Sequence, residues 1–96
     1  MTPQDFLASV AEPAPPPGLP PALAALWWDR RGDWARAHEC AQSDEGAAAA
    51  AAHAYLHRKE GDLPNARYWY ARAGRSVAAG TLDAEWASLA EQFLAR

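Results

Sequence analysis

Only one cysteine, Cys40, occurs in the 96 residues. No internal disulfide can form, so a reducing compartment is expected. Long apolar runs are missing as well. The alanine tract at 47–52 is too short and too weakly hydrophobic to approach the ~20 residues of a membrane span. The N-terminus, MTPQDFLASVAEP, has neither the basic start nor the apolar stretch of a secretory signal. A cytoplasmic chain with no membrane partner is the expectation. Concentrated positive charge is absent too: 9 Lys and Arg against 12 Asp and Glu give a net charge of −3. Nucleic acid is therefore not an expected partner, because it requires a dense basic field. The chain also lacks HExxH, CxxC, a glycine-rich phosphate loop, and a serine or cysteine nucleophile beside a recognisable base. His38 and Cys40, two apart on a helix, point to different sides.

What remains is a short, alanine-rich chain. Its length suits one domain with a small core, burying ~60–65% of the unfolded surface. Half of the residues are hydrophobic, but alanine supplies much of that half, and the five tryptophans must provide the bulk. The stretch His53 to Gly74, HAYLHRKEGDLPNARYWYARAG, reads as a helical hairpin. Gly61 can take the left-handed conformation that ends a helix. Asp62 follows as an N-cap, and Pro64 sits in the first turn, where its missing N–H is harmless. Ala66, Tyr70 and Ala73 then mark one helical stripe. Ala54 and Ala66 are small enough for close approach of the two helices.

A second copy lies upstream. Gly32 matches Gly61 at a spacing of 29 residues, Asp33 matches Asp62, Trp34 matches Leu63 and Ala37 matches Ala66. Repeated helix–turn–helix units indicate stacked hairpins. The pattern carried by Ala54, Gly61, Asp62, Leu63, Ala66, Tyr70 and Ala73, and in part by Ala25, Gly32, Asp33, Trp34 and Ala37, resembles the tetratricopeptide repeat and its Sel1-like relatives. In the first copy Ala41 and Asp44 replace the later tyrosine and alanine. The chain also resembles small bacterial proteins with an HAYLHRxEGD…NAxYWYxRAG core, a likeness that implies no function. The repeat resemblance implies a concave groove lined by the first helix of each hairpin. That groove would take Tyr55, Arg58 and Lys59, with Ala48 and Ala51, and Leu26, Asp29 and Arg30, with Leu19 and Ala22. An aromatic and cations among alanines would seat an extended peptide or an acidic C-terminus.

The remaining segments frame these hairpins. Thr2 to Ala11 reads as a short helix, capped by Thr2, with Pro3 at its first position and a stripe of Phe6, Leu7 and Val10. Glu12 to Pro21, EPAPPPGLPP, reads as a stiff connector that lays this helix across the repeats. Helices are expected from about Pro21 to Arg31, Asp33 to Gln42, Glu45 to Glu60 and Leu63 to Gly74, with Ser43 or Asp44 capping the third. Arg75 to Gly80 reads as a loop. A last helix starts near Thr81 or Asp83, with Leu82, Trp86, Leu89, Ala90, Phe93 and Leu94 on one stripe. Glu85 near its start and Arg96 at its end suit the helix dipole. Amphipathicity marks it as a cap on the repeat stack.

Two further groups carry chemistry. His53 and His57, four apart, project from one helix face. With His38 from the neighbouring helix, and Glu39 or Cys40 nearby, they can hold a divalent metal such as Zn, Ni or Fe. Ordinary histidines at a helix contact are the plainer reading. Of the aromatics Tyr68, Trp69 and Tyr70, the last faces inward. Trp69 is expected to pack near Trp86 on the last helix, or else to form with Tyr68 a homodimer or partner interface. The expected object is all-α: an N-terminal helix on a proline-rich arm (1–21), then two repeat-like hairpins and a capping helix (22–96). The leading expectation for function is a non-enzymatic adaptor binding a protein or peptide. The alternatives are a small metal-dependent enzyme built on the histidines and a structural homodimer.

Overall fold

The computed structural model describes residues 1–95, so the expected role of Arg96 lies outside the described residues. Six helices appear and, among the described residues, no strand: α1 (Pro3–Ser9), α2 (Pro21–Arg30), α3 (Trp34–Gln42), α4 (Ala47–Glu60), α5 (Leu63–Arg72) and α6 (Leu82–Leu94). None is long and apolar enough to cross a membrane.

The two hairpins are built by the same local chemistry. Gly32 and Gly61 adopt φ of 85° and 90°, a left-handed region closed to β-branched residues. The chain then reverses with the N–H of Asp33 bonding the Trp28 carbonyl and the N–H of Asp62 bonding the His57 carbonyl, both at 2.9 Å. The same aspartates cap the following helices. The Asp33 carboxylate accepts from the Arg36 N–H at 3.1 Å, and that of Asp62 from the Asn65 N–H at 3.2 Å. At α1, Thr2 and Asp5 form the reciprocal capping box. Thr81 caps α6 by accepting from the Ala84 N–H. At α4 the structure departs from expectation. The helix begins two residues late, because Asp44 accepts from the Gly46 N–H at 2.7 Å and so is spent on a turn rather than a cap.

Helix α4 is the central element and packs against α2, α3, α5 and α6. Its run from Ala49 to His57 is buried throughout. Alanine makes this geometry accessible: small side chains let neighbours approach on every side, and bulk enters from them. Phe6, Leu23, Leu26, Trp27, Leu56, Trp86, Leu89 and Phe93 fill the main core. Each such side chain contributes about 2 kcal/mol relative to exposure. Ala54, Ala66 and Tyr70 form a smaller cluster inside the second hairpin, where the expected close approach occurs.

The N-terminal arm joins this core. Phe6 is fully buried and stacks on Trp86 with ring centroids 5.8 Å apart. Trp27 Nε1 donates to the Ser9 hydroxyl, and Arg31 donates to the Val10 carbonyl. Leu7, expected on the same stripe as Phe6, is exposed instead.

Helix α6 decides what surface is left. It lies on α2 and α4, with Trp86 Nε1 donating to the Leu26 carbonyl at 3.0 Å and the Arg30 guanidinium over the Trp86 ring. This is the face expected to form an open groove. The structure covers it with an apolar helix, because α6 must bury its own stripe and α2 and α4 present the matching apolar surface.

Candidate metal centre

Polar chemistry gathers on two opposite sides of α4. On the α6 side stand the residues assigned to the groove. Asp29 is buried, accepting from the Tyr55 hydroxyl and from the Lys59 ammonium, both at 2.8 Å. Arg58 is paired with Glu85 at 2.9 Å and donates to the Gly80 carbonyl. Glu85 also accepts from the Tyr70 hydroxyl at 2.5 Å. Arg30 pairs with Asp83 at 3.1 Å, and Leu26 is fully buried. Burial, together with the partner carboxylates, pushes both tyrosine pKa values well up, so both stay neutral donors. Tyr55, Arg58, Lys59, Leu26, Asp29 and Arg30 are therefore brought together, but as a packed internal network. The cations spend their charge on Asp29, Asp83 and Glu85 rather than on an incoming peptide.

On the α3–α5 side the three histidines converge. His38 reaches across from α3, and its Nε2 lies 3.0 Å from His53 Nε2. The His53 and His57 rings stack at 4.8 Å, and His38 meets His57 at 5.2 Å. One ring nitrogen from each of the three lies within 4.8 Å of the others. His53 and His57 are buried, and His38 is half-buried at the edge of solvent. Two imidazoles on one tetrahedral ion at ~2.0–2.1 Å place their nitrogens about 3.3 Å apart. The His38–His53 separation needs a shift of only a few tenths of an ångström to match.

The shell around the rings is aromatic and oriented. Trp34 stacks on His38 with centroids 4.8 Å apart, and Trp69 stacks on His53 at 3.8 Å. His57 Nδ1 lies 2.6 Å from the Glu60 carboxylate, and His57 Nε2 lies 3.3 Å from the Asn65 side-chain nitrogen. A neutral His57 that donates from Nδ1 to Glu60 accepts at Nε2, so its lone pair is on Nε2. Burial, with His38 and His57 beside it, lowers the His53 pKa to about 4. Burial and the neighbouring His57 also lower that of His38. Both rings are accordingly neutral near pH 7, the form that ligates metal. His53 Nδ1 is buried and, among the described residues, makes no hydrogen bond.

Several expectations shift here. Trp69 does not pack near Trp86; its ring stacks on His53 of α4, while Tyr70, the next residue of α5, reaches Glu85 of α6. Tyr68 is half exposed beside it, its hydroxyl accepting from Arg72 at 2.9 Å. The expected auxiliary ligands are not used either. Glu39 is exposed and Cys40 packs against the core, where burial raises its thiol pKa. Glu60, Asn65 and Trp34 take the supporting positions instead. Glu60 was legible as the residue three beyond His57, and Asn65 as the first-turn residue after the cap. Trp34 was legible as the residue four before His38 on one face of α3, although only the crossing of α3 over α4 brings that face to His53 and His57. A second group, His57, Glu60 and Asp62, shares His57, with both of its carboxylates exposed.

Comparison with protein-family models, with curated proteins and with solved structures yields no significant match for this chain.

Proposed function

We propose that this protein binds one divalent transition-metal ion through His38, His53 and His57. The observation that carries the reading is the convergence of three ring nitrogens within 4.8 Å, two of them on buried rings. Three imidazoles without thiolate favour zinc, copper, nickel or cobalt over magnesium or calcium, which take oxygen ligands. Neutral rings add to this: near pH 7 His38 and His53 need lose no proton before ligating. The carboxylate of Glu60 behind His57 matches the outer-shell pattern that orients a ligating imidazole and raises its basicity. The plainer alternative, a hydrogen-bonded histidine contact, accounts for the His38–His53 approach at 3.0 Å, and the metal titration below separates it from the metal reading.

The experiment is metal analysis of protein purified without a histidine tag, followed by calorimetric titration with zinc. One equivalent is expected, with the melting temperature rising as zinc saturates the folded state. His53→Ala should lower the affinity at least a hundredfold while circular dichroism stays helical. Wild-type protein that takes up no stoichiometric zinc, cobalt, nickel or copper would end this reading.

A further inference from the structure

Resting on the metal reading above, we infer that the centre is of the open kind: it keeps one coordination position for a small anionic oxygen ligand, which Asn65 receives by a hydrogen bond. Three observations carry this. Among the described residues no fourth His, Cys, Asp or Glu joins the three histidines. A tetrahedral ion held by three protein ligands takes its fourth from outside, as catalytic rather than structural sites do. Next, the cluster is not sealed. His38, Trp34, Asn65 and Trp69 are all only half-buried, so the rings reach solvent on that side while His53 and His57 stay beneath. Finally, the Asn65 side-chain nitrogen stands 3.3 Å from His57 Nε2. In the metal-free protein its N–H bonds the Nε2 lone pair. Once that lone pair goes to the metal, the amide must find another acceptor, and a ligand oxygen on the ion is the nearest kind available.

The ligand class follows from this set. The ion brings positive charge, Asn65 brings a neutral donor, and among the described residues the only carboxylate bonded to a ring, that of Glu60, is already taken by His57 Nδ1. Water, hydroxide, and compact oxyanions such as acetate fit, bound through one oxygen to the metal. Trp34 and Trp69 flank the rings with apolar surface and lower the local polarity, which strengthens that bond. The role of Asn65 is separable from the fold, since its helix-capping contact to Asp62 is made by its backbone N–H.

The test uses cobalt(II), whose visible absorption reports the ligand set. Full-length protein is loaded with one equivalent of cobalt and titrated with acetate and with azide. The expected result is a saturable spectral change in the wild type. Asn65→Ala should take up the same equivalent of cobalt, and bind acetate about tenfold more weakly, the size of one lost hydrogen bond to a charged acceptor. Cobalt bound with a spectrum indifferent to both anions would overturn the open position while leaving the metal reading intact. Equal acetate affinity in Asn65→Ala would overturn the role of Asn65. No uptake of cobalt would end both readings together.

Discussion

Helix α4 carries two polar clusters on opposite sides, and they are built by opposite rules. Toward α6, Tyr55 and Lys59 converge on Asp29, and Arg58 joins Glu85 and Tyr70. Every charge there has a partner of opposite sign, and the tyrosines stay neutral. Toward α3 and α5, three imidazoles converge with the single carboxylate of Glu60 on His57, and burial lowers the proton affinity of His38 and His53. The first cluster pairs its charges, although the Arg30 Nε is buried without a hydrogen-bond partner among the described residues. The second links its rings to one another and to Asn65 and leaves His53 Nδ1 buried without a partner among the described residues. The contrast teaches how to read buried polarity: one network balances charge against charge, and the other packs uncharged bases whose ring nitrogens lie within 4.8 Å of one another, so the two should answer differently to pH and to mutation.

The comparison can be broken by experiment. The largest stability effect is expected on the charge-paired side. Asp29→Ala leaves the Tyr55 hydroxyl buried without a partner and strips Lys59 of its counter-ion. A loss of about 3 kcal/mol is expected, at the low end for a buried pair because Lys59 is partly exposed. Thermal melting should drop by well over 10 °C, while the uptake of one zinc is unchanged. If Asp29→Ala melts like the wild type, the network is not structural.

The histidine side should respond to acid instead. Between pH 6.5 and about 4 the unfolded chain binds a proton at position 53 that the folded chain refuses. Stability of the metal-free protein should therefore fall as the pH drops, with the unfolding constant rising roughly tenfold per pH unit from this group. Above pH 6.5 the group is neutral in both states and contributes no slope. Below about pH 4 it is protonated in both, and the slope vanishes again. His38, shifted the same way, adds to the effect. Denaturant titrations from pH 7 to 4 test this, with His53→Gln as the reference that should lose part of the slope. Identical slopes would mean that His53 is not held neutral by the fold.

The smallest effect concerns the scaffold common to both sides. Gly61→Val and Gly32→Val should each cost about 1–2 kcal/mol, because both positions have left-handed φ and an added Cβ meets nothing within 4 Å. The penalty is conformational alone, so the two variants should match. An unchanged melting temperature would show that the turn tolerates a β-branched residue.

Much of the scaffold was legible in advance. Gly32–Asp33 and Gly61–Asp62 announce their turns because backbone sterics and capping act within a few residues. Thr2, Pro3 and Thr81 announce helix starts for the same reason. The stripe of Trp86, Leu89 and Phe93 showed that α6 would bury one face, but not against what. That choice hid the groove, since the apolar face offered by α2 and α4 suits a helix of the same chain as well as a foreign peptide. The histidines were legible as a group on adjacent helices. Their supporting residues were legible only helix by helix, Trp34 four before His38 and Asn65 in the first turn after its cap; that they and Trp69 meet at one point was not, because the crossing of α3 and α5 over α4 is not written locally.

The chain read in one dimension dictates its helices, its turns, their caps and the alanine-rich centre, since each depends on neighbours three or four residues away. Which side of α4 is closed by charge pairs and which gathers three imidazoles depends on contacts spanning 15 residues for His38 with His53 and 60 for Leu26 with Trp86. Such contacts are selected by how whole apolar faces fit together, and that selection exists only once the helices pack.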